Sequence, residues 1–139
     1  MNNIDNYIPK LRKSGLRPTK QRLKICEVLF SPDKTFHFTI GDLTKIIEGK
    51  LNEKISLATV YNTVHAFKKK GYLKEITIDS ERSYFDTNVS CHHHFFDVKG
   101  NQLIDIESSQ VEIKKIPNPP EGKRIKSIDV IINIENDSH

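Results

Sequence analysis

The 139-residue chain carries 22 Lys and Arg, 18 Asp and Glu, and only two cysteines, Cys26 and Cys91. Two cysteines build no disulfide framework, no apolar run is long enough to span a membrane, and the N-terminus is unlike a signal peptide, so we expect a cytoplasmic protein. Residues 1–75 carry fifteen Lys and Arg against seven Asp and Glu, whereas residues 76–139 carry seven against eleven. The basic half indicates a polyanionic partner, the alternative being two ordinary solvated faces.

Three helices are predicted in the first half. The first covers residues 18–30 and the second starts at Thr39. The third starts at Ser56, whose hydroxyl can accept a backbone N–H as an N-cap, and it ends at Gly71. Apolar residues at helical spacing predict one buried face on each helix. In chain order these residues are Leu23, Cys26 and Phe30, then Ile40, Leu43 and Ile47, then Leu57, Val60, Val64 and Phe67.

A β-hairpin is predicted after the helices. Ile76 and Ile78 alternate as in a strand, residues 79–81 make a turn, and residues 82–86 return as a second strand. Three helices followed by a hairpin are typical of a winged helix-turn-helix domain, which we assign to residues 1–88.

The second half is predicted to be mainly β-structure. Strands over 92–98 and 102–106 flank a turn signal at 99–101, a short amphipathic helix covers 108–116, and Ile128, Val130, Ile132 and Ile134 alternate in a final strand. A three-stranded sheet with one helix is only marginally stable alone, so we expect a homodimer. Residues 89–139 are therefore assigned to a small α/β dimerisation domain, which makes the whole chain α+β.

The third helix is the predicted recognition helix of a DNA-binding domain. Such helices present their N-terminal residues to base edges, where Asn62 can bind adenine through two hydrogen bonds and Tyr61 can contact thymine methyl groups. An ordinary amphipathic surface helix is the alternative. The predicted contacts to double-stranded operator DNA are Arg17, Lys20, Arg22, Ser56, Ala58, Thr59, Tyr61, Asn62 and His65.

Three consecutive histidines follow Cys91. Successive side chains of a strand point to opposite faces, so His92 and His94 share one face while Cys91 and His93 share the other. Imidazoles suit iron, zinc and haem iron, and carboxylates suit Fe(II) or Mn(II). We predict a metal or haem site formed by His37, Asp86, His92, His93, His94 and Asp105, and a weaker secondary metal site formed by Cys91, His93 and Glu112. The alternative is a group of solvent-exposed or core histidines.

Five segments resemble the ferric uptake regulator superfamily, in the right order over nearly the whole chain. They are Gly15–Arg22, His37–Thr39, Ser56–Thr63, Tyr84–Asp86 and His92–His94. The resemblance implies a winged-helix domain, a hinge near residue 88, and an α/β dimerisation domain. It also implies that His37, Asp86, His92, His94 and Asp105 occupy the regulatory metal positions, and that Cys91, His93 and Glu112 fall on or depart from a secondary site.

Two departures from the superfamily narrow the resemblance. Asp97 and Gly100 stand where most members carry a C-x-x-C zinc motif, so a structural zinc site with four cysteine ligands is not expected. Asn62 stands where arginine is frequent. Together with the three histidines, these features make the sequence similar to the iron response regulator branch of the superfamily. That resemblance implies a repressor that haem releases from DNA.

The sequence therefore predicts an iron-responsive repressor whose operator binding is modulated by haem or iron, with Mn(II) or Zn(II) possible in the same site. The alternative is a repressor activated by Fe(II) or Mn(II), of the ferric uptake or peroxide-sensing type. A DNA-binding protein indifferent to metals is a further class. An enzyme is not expected, because no recognisable general base or nucleophile motif is present.

Overall fold

The structure is a computed structural model that describes residues 4–138. The chain divides after Val89 into two compact units, 1–89 and 90–139, one residue from the predicted boundary. None of the helices formed by the described residues has the length and apolar character needed to cross a bilayer.

Residues 4–89, the described part of the first unit, form four α-helices. They are α1 (Ile8–Lys13), which follows a 3-10 turn at Ile4–Tyr7, then α2 (Lys20–Phe30), α3 (Ile40–Leu51) and α4 (Leu57–Lys70). The last three are the predicted helices, and each starts at a capping side chain. The hydroxyls of Thr19, Thr39 and Ser56 accept the N–H groups of the residues three positions later, at 3.2, 3.0 and 3.2 Å. Each such cap contributes about 1 kcal/mol to stability. Gly71, with φ at +90°, ends α4 in a conformation that side chains disfavour.

Helix α1 was not predicted, although its docking is part of the core. Leu11 is fully buried, and Ile4, Tyr7 and Ile8 pack partly buried beside it. These four residues are spaced as one helical face, which is the signal that the sequence carried. The Lys10 ammonium lies 3.8 Å from the ring centroid of Phe30, a cation–π contact that adds to the docking.

Cys26 is a core residue, as its position on the apolar stripe of α2 predicted. Its side chain is fully buried. Burial raises the pKa of the thiol to about 12, and the nearby Lys10 only partly opposes this shift. The thiol therefore stays protonated and unreactive near neutral pH.

The prediction that Leu57 belongs to the buried seam of α4 is wrong. Leu57 is 61% exposed, because it is the first residue of the helix and lies beyond the core. Thr63 takes its place, fully buried between Val60 and Val64 at helical spacing. The Thr63 hydroxyl donates to the Thr59 carbonyl at 2.7 Å, so a polar side chain is accommodated in the core.

A three-stranded antiparallel sheet completes the first unit. Its strands are β1 (His37–Phe38), β2 (Lys74–Thr77) and β3 (Ser83–Asp86), in the order β1-β3-β2. The hairpin β2–β3 is the predicted wing, and the two-residue β1 was not predicted. In the register of β1 with β3, Phe38 pairs with Phe85 and His37 pairs with Asp86. Both phenylalanines lie in the core beneath the helices.

The second unit is a three-stranded sheet with β4 in the centre. The strands are β4 (His93–Asp97), β5 (Gln102–Ile106) and β6 (Ile131–Ile134), with β5 antiparallel and β6 parallel to β4. The turn between β4 and β5 uses the two residues that replace the zinc motif. The Gly100 N–H donates to Asp97 Oδ1 at 3.0 Å, and a Cβ at Gly100 would lie 2.6 Å from Asp97 Oδ2. Close approach of this carboxylate therefore requires glycine.

Two predicted elements of the second unit are corrected. The helix over 108–116 is only a 3-10 turn at Ser108–Gln110, and residues 111–130 form no helix or strand. A short helix is marginal unless it buries an apolar face, and Ile113 and Ile116 are 41% and 46% exposed. The final strand begins at Ile131 rather than at residue 128, and Ile132 is 41% exposed.

Removing the side chain of Leu11 tests the docking of α1. Leu11→Ala should lower the free energy of unfolding by about 2–5 kcal/mol, because it opens a cavity in the core. Urea denaturation gives the value. Arg12→Ala changes the exposed neighbour and is the control. If the two variants unfold at the same urea concentration, α1 is not part of the core.

Candidate metal centre and nucleic-acid interface

A cluster of three metal-ligating side chains lies on one face of the second unit. His92 Nε2 and His94 Nε2 lie 3.6 and 3.2 Å from Asp105 Oδ1. One ligand atom of each of the three residues lies within 4.8 Å of those of the other two. Both imidazoles are buried, whereas the Asp105 side chain is 55% exposed. The arrangement is a compact set of two nitrogens and one oxygen that is open to solvent on the carboxylate side.

Strand pairing produces this cluster. His94 on β4 is the Cα partner of Asp105 on β5, so their side chains lie side by side on one face. His92 precedes His94 by two residues and shares that face, as predicted, with ring centroids 4.5 Å apart. This part of the site follows from the period of the strand.

The protonation of His92 prepares its ring for a metal. Nδ1 lies 2.8 Å from the Ser90 carbonyl oxygen, which only accepts hydrogen bonds, so Nδ1 carries the proton. The Nε2 lone pair of the neutral ring is then directed at the cluster. A second bond of this kind fixes the orientation of most metal-bound histidines. Nitrogen and carboxylate donors suit Fe(II), Mn(II) and Zn(II), so the residues fit such an ion.

The first unit brings two further predicted ligands together. His37 and Asp86 are Cα partners in the pairing of β1 with β3. Asp86 is buried, and its Oδ1 accepts the Asn88 N–H at 2.8 Å. The register of a strand that the sequence did not reveal thus pairs the backbones of two predicted ligands, one imidazole and one carboxylate.

His93 makes a contact that the sequence did not predict. Its ring is buried, and Nδ1 accepts the Val130 N–H at 3.1 Å. In this contact the proton of the neutral ring is on Nε2, and the Nδ1 lone pair is engaged by Val130. His93 instead joins β4 to the segment that leads into β6. Sequence spacing did not show that Val130 needs an acceptor at this point.

The predicted secondary site is not assembled. Cys91 and Glu112 are both exposed, and Glu112 lies in the irregular segment after β5. Within residues 4–138, no cluster of three or more metal-ligating side chains contains Cys91, His93 or Glu112. A site at these residues stays a prediction.

Helix α4 presents an exposed surface at its N-terminal half. Ser56, Ala58 and Asn62 are exposed and Thr59 is partly buried. Tyr61 is 51% exposed and Leu57 is 61% exposed, four residues apart on the same side of the helix. Leu57 is a candidate DNA contact that sequence reasoning missed, because its apolar character suggested the core.

The cationic side chains near α2 differ in exposure and in hydrogen bonding. Arg17 and Lys20 are exposed. The Arg22 guanidinium donates to the Arg17 carbonyl at 2.9 Å, which fixes the turn before α2. Of these three cations, Arg17 and Lys20 are thus more accessible than Arg22.

His65, a further predicted DNA contact, is less exposed than Tyr61 and Asn62 on the same helix. It is only partly exposed, and its ring packs between Tyr61 and Phe85, with centroid distances of 4.0 and 5.3 Å. The side chain therefore supports the helix surface more than it forms part of it.

Comparison with known proteins decides the family. Residues 13–133 match the sequence model of the ferric uptake regulator family. The chain belongs to the ferric uptake regulator family. Its members are transcriptional regulators and not enzymes, so the prediction that the chain is not an enzyme is confirmed, and it is a metal-responsive, DNA-binding regulator of this family.

Two curated relatives are similar to this chain over most of their length. It is 33% identical over 109 residues to the peroxide-responsive repressor PerR of Staphylococcus epidermidis, covering 78% of this chain and 71% of that protein. It is 36% identical over 102 residues to the peroxide operon regulator of Bacillus subtilis, covering 73% and 68%. Both are named as peroxide regulators rather than as iron response regulators.

Solved structures confirm the fold. The ferric uptake regulator from Pseudomonas aeruginosa with manganese superposes with a TM-score of 0.65 at 22% identity, over 92% of this chain and 96% of that one. The peroxide stress regulator of Campylobacter jejuni gives 0.57 at 19% identity, over 99% and 98%. The predicted α+β architecture of a winged helix-turn-helix domain with a small second domain is confirmed.

The contrast between neighbouring histidines is testable. His92→Ala should weaken Mn(II) binding by more than about tenfold, since loss of a ligand costs at least as much as loss of an outer-shell partner. His93→Ala should leave the Mn(II) affinity within about twofold and lower the free energy of unfolding by about 1–3 kcal/mol, because the Val130 N–H loses its acceptor. Isothermal titration calorimetry and urea denaturation give the two values. Equal losses of Mn(II) affinity would show that His93 is a ligand.

Proposed function

We propose that this regulator is a dimeric repressor of the peroxide-sensing type, whose operator binding requires Fe(II) or Mn(II). The observation that carries the proposal is the cluster of His92, His94 and Asp105, whose two imidazoles and one carboxylate are the donors that these ions prefer. The relatives named as peroxide regulators support the same type.

The ligand set is completed, in this proposal, by His37 and Asp86 of the first unit. The resemblance of the sequence to the family is the ground for this step, and the adjacency of the two residues within their own sheet supports it. An ion held by both units favours the arrangement in which all the ligands reach it. The ion activates DNA binding only if it binds the DNA-binding arrangement of the units more tightly than the arrangement that does not bind DNA.

The dimer is proposed to form through the second unit. Phe95 on β4 pairs with Ile104 on β5 and with Ile132 on β6, so an apolar row crosses one face of the sheet. Ile104 and Ile132 are 40% and 41% exposed. A second copy would remove this row from water, and the two recognition helices would then read two half-sites of a palindrome.

DNA readout is proposed to use the exposed surface of α4. Asn62 reads an adenine edge, while Leu57, Ala58 and Tyr61 contact thymine methyl groups. Arg17 and Lys20 bind phosphates, which gives affinity and salt dependence but no sequence preference.

Operator binding measured by fluorescence anisotropy tests the metal requirement. With an AT-rich palindromic duplex at fixed salt, Mn(II) and Fe(II) under anaerobic conditions should each tighten binding by at least about tenfold, as is typical of allosteric coupling. His92→Ala should abolish the gain, whereas Lys99→Ala, an exposed residue of the β4–β5 turn, should keep it. Binding that is equally tight with and without either metal would contradict the proposal.

Haem separates this proposal from the narrower resemblance to the iron response regulator branch. His93 is engaged by Val130, and the relatives described above are named as peroxide regulators, so the comparisons and the contacts favour the metal-activated type. In the same experiment, haem should leave the affinity of the Mn(II)-loaded protein unchanged. Release from DNA by haem alone would instead establish the haem-sensing type.

Peroxide sensing makes a separate prediction. Bound Fe(II) would promote oxidation of a neighbouring imidazole by peroxide, in which one peroxide oxygen adds to the ring and the other leaves as water. Peroxide should therefore add the mass of one oxygen atom to His37 or His92 and release the protein from DNA. Peptide mass spectrometry and anisotropy follow the two effects. Protein loaded with Mn(II) is the control and should keep both its mass and its operator. If the Fe(II) form keeps its operator too, the protein is a metal-activated repressor that does not sense peroxide.

A further inference from the structure

We propose that His65 is a positioning residue for DNA recognition, whose ring holds Tyr61 in the orientation that reads thymine. The proposal rests on the DNA contact assigned above to Tyr61. His65 itself makes no base contact in this proposal and acts through the side chain four residues before it.

The geometry of the three rings supports this role. The Tyr61 and His65 centroids are 4.0 Å apart, with an angle of 37° between the ring planes. His65 also contacts the Phe85 ring, with centroids 5.3 Å apart and 80° between the planes. The Phe85 contact has the edge-to-face geometry that favours aromatic attraction, whereas the Tyr61 contact is a close, tilted packing of two rings. His65 thus contacts both a solvent-exposed ring and a core ring.

Exposure of Tyr61 makes such a support useful. A tyrosine that is 51% exposed on a helix surface loses rotamer freedom when it docks against a base. A ring that already holds the side chain in place removes part of that cost before DNA arrives, which is preorganisation. Leu57 is exposed on the same side of α4, one helical turn before Tyr61. It is two turns from His65.

Phe85 is itself firmly placed. It is buried and stacks against Phe38 at 6.1 Å with 26° between the planes, across the pairing of β3 with β1. The neighbouring pair in the same register is His37 with Asp86, two of the proposed metal ligands. A row of rings therefore runs from Tyr61 through His65 and Phe85 to the strands that carry these ligands. A change in the β1–β3 pairing has a direct packing route to the base-reading side chain.

A separate contact holds the helix against the wing. Lys68 Nζ lies 2.7 Å from Glu75 Oε1 on β2. Burial alone would raise the pKa of Glu75, but hydrogen bonds from Lys68 and Ser83 and the charges of Lys68 and His65 outweigh it and lower the pKa. Because this ion pair anchors α4 one turn further along, removal of the His65 ring should free Tyr61 without displacing the helix.

The test compares one duplex with a series of duplexes, each of which lacks the methyl group of a single thymine. An AT-rich palindrome and the same duplex with single thymine-to-uracil replacements are titrated by anisotropy at fixed salt and saturating Mn(II). Where Tyr61 contacts a methyl group, the wild-type protein should lose about fourfold in affinity on its removal, the equivalent of one buried carbon. His65→Ala and His65→Gln should reduce that loss to less than about twofold. His65→Phe, which keeps a ring, should restore it.

Matched variants separate positioning from other effects. Lys69→Ala removes an exposed cation from the same helix. It should lower the affinity for the thymine and the uracil duplexes by the same factor. Tyr61→Ala should abolish the methyl discrimination, and adding His65→Ala to it should change nothing further, since the two act as one unit. Urea denaturation of the His65 variants checks that each is folded under the binding conditions, and His65→Gln or His65→Phe serves if His65→Ala is not.

The outcomes distinguish the two proposals. If His65→Ala and His65→Gln keep the full fourfold discrimination while Tyr61→Ala loses it, Tyr61 reads thymine without help and the positioning role is wrong. If Tyr61→Ala keeps the discrimination, the assignment of Tyr61 in the proposed function is wrong, and the role of His65 is overturned with it.

Discussion

The pairing of β3 between β1 and β2 is the constraint on which the first unit depends. One face of this small sheet places Phe38 and Phe85 under the helices, and the next pair along the same register is His37 and Asp86. Because cross-strand register is set residue by residue, a slip of one position would move the aromatic pair out of the core. The packing of the core and the placing of two candidate ligands therefore follow from one set of hydrogen bonds.

The second unit obtains its chemistry from the alternation along β4. One face carries His94, with His92 just before the strand, beside Asp105, and the other carries His93, whose nitrogen is used by Val130. Of three adjacent histidines, two thus lie beside a carboxylate as candidate ligands, while the third accepts a backbone hydrogen bond. A neutral imidazole has a single lone pair, so the Nδ1 lone pair that accepts the Val130 N–H is engaged in this contact.

Local pattern was sufficient for much of the fold. The starts of three helices were predicted within two residues, at residue 18, Thr39 and Ser56. Only Ser56 was predicted as a cap, and the structure shows that Thr19 and Thr39 cap their helices in the same way. The wing and the β4–β5 hairpin followed from alternation and turn residues. This reasoning failed at the helix over 108–116. Periodicity was present there, but Ile113 and Ile116 stay 41% and 46% exposed, so no burial stabilises so short a helix.

The amino-acid sequence by itself thus determined the helix starts, the shared face of His92 and His94, and the family. These features depend on residue type and on spacings of a few positions. The pairing of His37 with Asp86, the exposure of Leu57 and the packing of His65 on Phe85 needed the folded chain. Each depends on which distant residues meet, because register and packing are set by the fit of whole elements and not by any local repeat.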